Sequence, residues 1–130
     1  MFKIRITQNP LGPEILAALD ADEAAGALAV SERDDTLSLT VLGAGGAPMG
    51  YCVFGRDAGD MIAIYYTRAL VPGLGAAMMK QLFGVAQVLG TPLRVHVDSV
   101  RGIATRARMF GAKVATEGVD ADGIMQGIFR

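Results

Sequence analysis

The sequence predicts an α/β (α+β) fold: a mixed, mostly antiparallel twisted sheet of about six to seven strands with helices on both faces. Two observations predict this class. Short segments with alternating apolar and polar residues recur along the chain and are joined by brief turns, which indicates an antiparallel meander. One central strand is followed instead by a glycine-containing turn, a long apolar helix and another strand. Such a unit pairs its two strands in parallel through a right-handed crossover.

Composition is typical of a compact soluble protein, and the length predicts a single domain over residues 1–130. The apolar fraction is 52% and the charged fraction 19%, which argues against disorder. A net charge of −1 gives no general attraction to nucleic acid or to an anionic membrane, so neither is expected as a partner. No apolar run is long enough for a membrane span, and the N-terminal residues alternate where a signal peptide would be continuously apolar.

The numbers of cysteines and histidines bear on two further features, disulfides and metal sites. The chain has one cysteine, Cys52, which excludes an internal disulfide framework and fits a cytoplasmic location. Together with the single histidine, His96, it leaves no Cys/His metal site, so no metal is expected. Cys52 itself is interpreted as a small core residue.

The first third of the chain predicts one strand and two helical segments. Residues Phe2–Thr7 alternate as a half-buried strand. Pro13 suits the first turn of a helix, and Asp20–Ala29 adds a second helical segment. The polar residues Ser31–Asp35 form a turn that leads into the meander.

The remaining elements follow from alternation and from helix stop signals. Three closely spaced strands are predicted, at Thr36–Leu42, Met49–Phe54 and Met61–Thr67. A helix begins after Gly75 and stops at Gly90, and Gly111 stops the next helix. The segments after the long helix are a strand (Leu93–Asp98), a helix (Val100–Phe110) and a hairpin (Lys113–Thr116 and Ile124–Phe129 around an acidic turn, Glu117–Gly123).

This element order resembles that of the GNAT (Gcn5-related N-acetyltransferase) family throughout, and two local motifs are also similar. Pro48–Tyr51 looks like the family's third-strand start, and Ile103–Gly111 looks like its fourth helix. The family's signature loop, roughly Val-x-Pro-x-x-Arg/Gln-x-x-Gly-x-Gly/Ala, wraps the pyrophosphate of acetyl-CoA. In this chain Tyr65, Thr67 and Leu70 take the Val, Pro and Arg/Gln places, and Gly73-Leu74-Gly75 takes the Gly-x-Gly place. The loop is therefore degenerate: it keeps the glycines and loses the polar anchor.

The resemblance implies acetyl-CoA as a co-substrate, bound by backbone amides at the turn and helix start. The implied cofactor-binding residues are Tyr65, Thr67, Val71, Gly73, Leu74, Gly75 and Ala76. Pro72 removes one N–H from this turn. Arg68 is interpreted either as a compensating cation or as a solvated loop residue. A tight strand-to-helix turn without any ligand is the alternative interpretation of the whole segment.

The catalytic candidates are His96 and Tyr66. Acetyl transfer to an amine needs a base for the acceptor and an acid for the departing thiolate. His96 is the residue best suited by type to act as the base, although a hydrogen-bonded histidine on a polar strand face is the alternative. Tyr65 and Tyr66 point to opposite faces of the central strand. The tyrosine that many family members use as the acid is replaced here by Ala107, and the family's Asn by Val100.

The resemblance implies an acyl-CoA-dependent N-acetyltransferase in which a small-molecule or peptide amine attacks the thioester directly. The alternative is a catalytically inactive GNAT-like domain that serves as a ligand-binding, assembly or viral structural module. Apolar or small residues at three polar family positions, Leu70, Val100 and Ala107, favour that alternative. A homodimer through the last strands is compatible with the sequence.

Overall fold

The computed structural model describes residues 2–130 and contains, within them, one seven-stranded sheet and four α-helices. The elements are β1 (Lys3–Thr7), α1 (Pro13–Leu16), α2 (Ala21–Ser31), β2 (Thr36–Leu42), β3 (Pro48–Arg56), β4 (Ile62–Ala69), α3 (Leu74–Leu89), β5 (Leu93–His96), α4 (Val100–Phe110), β6 (Ala115–Val119) and β7 (Met125–Phe129). The strand order is β1-β2-β3-β4-β5-β7-β6. Strands β4 and β5 are parallel, whereas the β1–β2, β2–β3, β5–β7 and β6–β7 pairs are antiparallel. The predicted fold class, a mixed and mostly antiparallel sheet with helices, is confirmed.

Two compact units can be distinguished. The first contains the residues up to Arg56 together with Ile64–Gly75, and the second contains Asp57–Ala63 together with Ala76–Arg130. Strand β4 and helix α3 each contribute residues to both units. No helix in the described part of the chain is both long enough and apolar enough to cross a membrane.

The first unit has a core between α1, α2 and β3. Its buried residues are Leu11, Ile15, Ala27, Tyr51 and Val53, against which Leu16, Leu19, Val30, Leu42 and Tyr66 pack. A buried serine ties the segment before α1 to α2: Ser31 Oγ accepts from the Leu11 amide at 3.1 Å and donates to the Leu28 carbonyl at 2.8 Å. Because α2 is fixed in this way, the side chains of its first turn are held over β3.

Strand β2 differs from its prediction because both of its faces are covered. The predicted apolar face includes Leu39 and Val41, which are fully buried, but Thr36 and Ser38 on the other face are buried as well. The Thr36 hydroxyl satisfies its buried position by donating to the carbonyls of Val30 and Arg33. Alternation alone therefore underestimated the burial of this strand.

Aromatic packing organises the second unit. The Phe83 ring of α3 stacks on the Phe110 ring of α4 with centroids 5.1 Å apart, and Phe129 of β7 meets Phe110 edge-on at 5.2 Å. Such offset and edge-on arrangements are the favoured geometries of aromatic pairs. Phe129 is fully buried, so it anchors the last strand to this cluster.

An ion pair holds the turn before β4 to β5. Asp57 Oδ1 accepts from the amides of Gly59 and Met61, and its Oδ2 lies 3.3 Å from Arg94 Nε. Next to this pair, the parallel register joins Ile62 to Leu93 and Ala63 to Arg94. The ion pair and the pairing with β5 together fix where β4 begins.

Several predicted boundaries are wrong by a few residues, for local reasons. Strand β4 extends two residues beyond Thr67, and β5 ends at His96 instead of Asp98, because Ser99 caps α4 by accepting from the Gly102 amide. The predicted acidic turn is shorter than expected, since Glu117 lies within β6. Asp120 tightens that turn by accepting the amides of Asp122 and Ile124.

Candidate functional site

The strand–turn–helix segment occurs where the sequence predicts it. Strand β4 ends at Ala69 and α3 begins at Leu74, two residues earlier than the predicted start after Gly75. Gly73 has a φ of +81°, a conformation that favours glycine, and a Cβ at this position would project into open space. Pro72 and Gly73 are exposed, whereas Leu74 is buried. The turn therefore presents accessible backbone at the start of a 16-residue helix, where amide groups and the helix dipole favour an anion.

The residues just before this turn are held by the strands. The Leu70 amide donates to the Met49 carbonyl at 2.8 Å, so the position of the family's polar anchor continues the strand pairing and carries an apolar side chain. The Thr67 hydroxyl donates to the Tyr51 carbonyl at 3.2 Å. Val71 is half-buried and Ala76 is exposed. From Ala69 to Ala76 all side chains are apolar or absent, so backbone groups are the polar atoms that these residues can offer to a ligand.

Tyr65 and Tyr66 have different neighbours, as alternation along the strand predicted. The Tyr65 ring lies beneath the Arg33 guanidinium, 5.2 Å from the ring centroid. Tyr66 packs against the core of the first unit, and its hydroxyl lies so close to Gly26 of α2 that a Cβ there would overlap it. Tyr66 is half-buried in this position.

Arg68 corrects one sequence interpretation, because it is neither in a loop nor a free cation. It lies on β4, and its Nε donates to both carboxylate oxygens of Glu23, at 2.8 and 2.9 Å, while Nη2 donates to Glu23 Oε1. The Tyr51 hydroxyl donates to Glu23 Oε2 at 2.7 Å. Tyr51 is fully buried, the Glu23 side chain is 13% exposed and the Arg68 side chain is 53% exposed. We call these three residues the Glu23 cluster.

The electrostatics of the Glu23 cluster fix its protonation states. The Arg68 guanidinium, with help from the Tyr51 hydroxyl, holds the pKa of Glu23 below its ordinary value. Burial, together with the neighbouring Glu23 carboxylate, raises the pKa of Tyr51 far above its ordinary range. At neutral pH, Glu23 is therefore ionised with its lone pairs engaged, and Tyr51 is a neutral donor. Glu23 is accordingly a poor general base.

The cluster was missed from the sequence for a physical reason. Glu23 lies three residues after the α2 cap, and Asp20 Oδ1 accepts the Glu23 amide at 2.8 Å. An Asp-x-x-Glu sequence at a helix start is fully explained by capping. The partners Tyr51 and Arg68 lie 28 and 45 residues away along the chain, and no periodicity connects them.

Glu23→Gln is expected to change how stability depends on pH. Because the pKa of Glu23 is lowered in the folded state, its carboxylate contributes stability that is fully present above its ordinary pKa of 4.5 and is lost as the pH falls through the folded-state pKa. Urea unfolding should show a clear stability deficit of Glu23→Gln at about pH 7 that shrinks at about pH 3. The exposed Glu32→Gln is the control. A deficit of equal size at both pH values would contradict this account.

His96 lies at the end of β5 with its side chain 59% exposed. Its Nε2 is 3.6 Å from Asp120 Oδ2, and that carboxylate is itself held by the amides of Asp122 and Ile124 and by Gln126 Nε2. The backbone amides and His96 lower the pKa of Asp120. A fixed carboxylate beside an exposed imidazole can orient the ring, and such a pair is of a type that can support proton transfer.

The structure assigns a packing role to the single cysteine and shows no metal site among the residues it describes. Cys52 is fully buried, and burial raises the pKa of its thiol to about 12. A buried neutral thiol is a poor nucleophile. Within residues 2–130, no three His, Cys, Asp or Glu side chains are grouped so that they could hold a metal ion.

Comparison with solved structures shows the GNAT fold. A protein from Desulfovibrio desulfuricans that is assigned to the GNAT family of acetyltransferases matches with a TM-score of 0.62 and 15% identity, over 99% of this chain and 97% of that chain. The N-acetyltransferase PseH of Campylobacter jejuni, in complex with acetyl coenzyme A, matches with a TM-score of 0.65 and 12% identity over 100% and 99% of the two chains. Gcn5 from Tetrahymena matches with a TM-score of 0.66 and 9% identity over 98% and 96%.

These similarities concern the fold, because the identities are low. No protein-family profile matches the sequence, and none of the curated proteins does. The resemblance to the GNAT family that the sequence predicted is confirmed at the level of architecture.

Proposed function

We propose that the protein is an acyl-CoA-dependent N-acetyltransferase, in which residues 1–130 act as one acyltransferase domain. The observation that carries the proposal is the exposed, glycine-containing turn at Gly73, which precedes a long helix in a GNAT fold. The similar Campylobacter protein is described with acetyl coenzyme A bound. A turn with accessible backbone amides at a helix start suits the pyrophosphate of such a co-substrate.

In this proposal, backbone groups do most of the binding. The residues assigned to the cofactor are Tyr65, Thr67, Val71, Gly73, Leu74, Gly75 and Ala76. Because Leu70 supplies no polar side chain and Pro72 supplies no N–H, binding depends on the amides around Gly73 and on the helix dipole. No side-chain carboxylate in this segment would repel the bound anion, since none of positions 65–76 is acidic.

The reaction is a direct transfer that needs two proton movements. The acceptor nitrogen forms a bond with the acetyl carbonyl carbon, the bond from that carbon to sulfur breaks, and the acetyl thioester supplies the activated acyl group. His96, oriented by Asp120, is proposed to remove the proton that the amine loses. Tyr66 is the second catalytic candidate, as a hydroxyl that can return a proton to the thiolate.

His96→Ala is expected to lower kcat by about a hundredfold or more, because a positioned general base contributes on the order of 10²–10⁴ to a rate. The release of CoA thiol in the presence of a panel of primary amines measures this. Acetyl-CoA affinity should stay unchanged, and Tyr66→Phe tests the second candidate in the same assay. Full turnover of His96→Ala would remove His96 from the mechanism.

A module that binds its ligand without catalysis is the second candidate function. The observation in its favour is that three positions that are polar in the family, Leu70, Val100 and Ala107, carry apolar or small side chains here. Saturable acetyl-CoA binding without CoA release for any amine would support this function over the enzyme. Three further points stay predictions: that the acceptor is a small molecule or a peptide, that the protein forms a homodimer, and that it is cytoplasmic.

A further inference from the structure

We propose that Arg68 recognises a carboxylate on the acceptor, so that the substrate is an amine of the amino-acid class, and that Glu23 and Tyr51 position Arg68 for this task. The inference rests on the proposed acetyltransferase function for the transfer itself. The binding of the carboxylate, however, can be measured without any turnover. All three residues belong to the first unit.

Hydrogen bonding leaves one edge of the Arg68 guanidinium available. A guanidinium has five N–H donors in a planar fork. Glu23 engages the edge formed by Nε and Nη2, as the contacts of these two nitrogens show. The edge formed by Nη1 and the second N–H of Nη2 points away from Glu23, and the side chain is 53% exposed. That edge has the spacing for a second bidentate contact with a carboxylate.

The rest of the cluster holds this edge in a fixed orientation. Glu23 is anchored from β3 by the Tyr51 hydroxyl at 2.7 Å, and from its own helix by the bond of its amide to Asp20 Oδ1. A free arginine loses rotamer freedom when it binds a ligand, whereas one that is already oriented loses less. The Glu23 side chain is 13% exposed and is engaged by both Tyr51 and Arg68, so the carboxylate that orients the guanidinium is itself held in place.

The charge of the cluster favours a monoanion. Glu23 is ionised and pairs with Arg68, and the charge of Asp20 also acts on Arg68, so the three groups together carry a net charge of about −1. A carboxylate brings one further negative charge to these surroundings, whereas a phosphate ester brings nearly two and meets about twice the net repulsion. The site therefore suits a carboxylate better than a phosphate.

The position of Arg68 on β4 places the acceptor near the proposed cofactor turn. Arg68 precedes Gly73 by five residues in the same unit, a distance of at most about 17 Å along an extended chain. The cofactor pyrophosphate is assigned to backbone amides and the acceptor carboxylate to a side chain. Because different groups hold the two anions, they do not compete for one binding site.

The test is ligand binding by calorimetry, with amino acids compared with matched amines that lack the carboxylate. The probes are glycine, β-alanine and γ-aminobutyrate against glycinamide, β-alaninamide and butylamine. We expect at least one amino acid to bind the wild type and its matched amine to bind at least about tenfold more weakly. Arg68→Lys keeps the positive charge next to Glu23 but lacks the planar pair of N–H donors. It should weaken binding of the amino acid by about tenfold and leave binding of the matched amine unchanged.

Arg33→Lys is the matched control, because Arg33 is an arginine of similar exposure that pairs with Asp35 in the same unit. It should leave amino-acid binding unchanged. Tyr51→Phe tests positioning: in turnover assays it should raise KM for the amino acid while kcat, and KM for the matched amine, stay as in the wild type. A purely structural role would lower the melting temperature without changing the ratio of the two KM values.

The two proposals fail in different ways. If no amino acid binds better than its matched amine, or if Arg68→Lys binds the amino acid as tightly as the wild type does, the inference about Arg68 is overturned. That holds whether or not acetyl-CoA binds. If amino acids bind as described but acetyl-CoA does not, the acetyltransferase proposal fails and the carboxylate site stands.

Discussion

Gly73→Glu is expected to abolish acetyl-CoA binding, the largest functional effect that the structure predicts for a single residue. Gly73 is exposed, and its Cβ direction is open, so a glutamate there adds a carboxylate beside the amides that would bind the pyrophosphate. The repulsion between the two anions acts where the helix dipole would otherwise favour binding. Isothermal titration calorimetry with acetyl-CoA should show binding to the wild type and no detectable heat for Gly73→Glu.

Gly45→Glu separates this effect from backbone strain. Gly45 also has a positive φ, +68°, and open space at its Cβ position, but it lies in the turn between β2 and β3. Both substitutions cost about 1–2 kcal/mol because a residue with a Cβ occupies the left-handed region. Equal loss of acetyl-CoA binding in both variants would show that strain, and not the charge at the turn, is responsible.

Phe129→Ala is expected to lower the free energy of unfolding by about 3–5 kcal/mol, the cost typical of a phenylalanine removed from a packed core. Phe129 is fully buried and meets the Phe110 ring edge-on, while Phe110 stacks on Phe83. Truncation would leave a cavity at this aromatic cluster and remove its contact with β7. Urea unfolding monitored by circular dichroism measures the change.

Phe2→Ala is the control for the loss of an aromatic side chain as such. Phe2 is 45% exposed, before the first strand, so its truncation should change the free energy of unfolding by less than about 1 kcal/mol. Similar losses for both variants would mean that the cluster at Phe129 does not contribute the packing energy that its geometry indicates.

The parts of the fold that were predictable from the sequence are those specified by local chemistry. Helix α4 was predicted residue for residue, Val100–Phe110, because Ser99 caps its start and Gly111, in the left-handed conformation, ends it. The crossover from β4 through α3 to β5 was predictable for a similar reason, although α3 begins two residues earlier than predicted. Gly73 and Gly90, both with positive φ, mark the two ends of α3. Helix start and stop signals of this kind can be recognised in a single sequence.

The features that could not be predicted depend on contacts between distant residues. The ion pair of Arg68 with Glu23 joins a strand to a helix 45 residues earlier, and nothing near Arg68 distinguishes it from a solvated arginine. The length of the last turn depends on Asp120 Oδ1, which accepts the amides of both Asp122 and Ile124. In both cases the sequence shows which residue types are present, but only the tertiary structure determines which of them are in contact.

The central claim is that this GNAT fold binds acetyl-CoA through the turn at Gly73. A thermal-shift titration of the full chain with acetyl-CoA tests it most directly, because a ligand that binds only the folded state must raise the melting temperature. The wild type should show a shift that saturates with ligand concentration, persists in Gly45→Glu and is absent in Gly73→Glu. No shift of the wild type at about millimolar acetyl-CoA would contradict it, since a ligand at 100 times its Kd should add about 2.7 kcal/mol of stability.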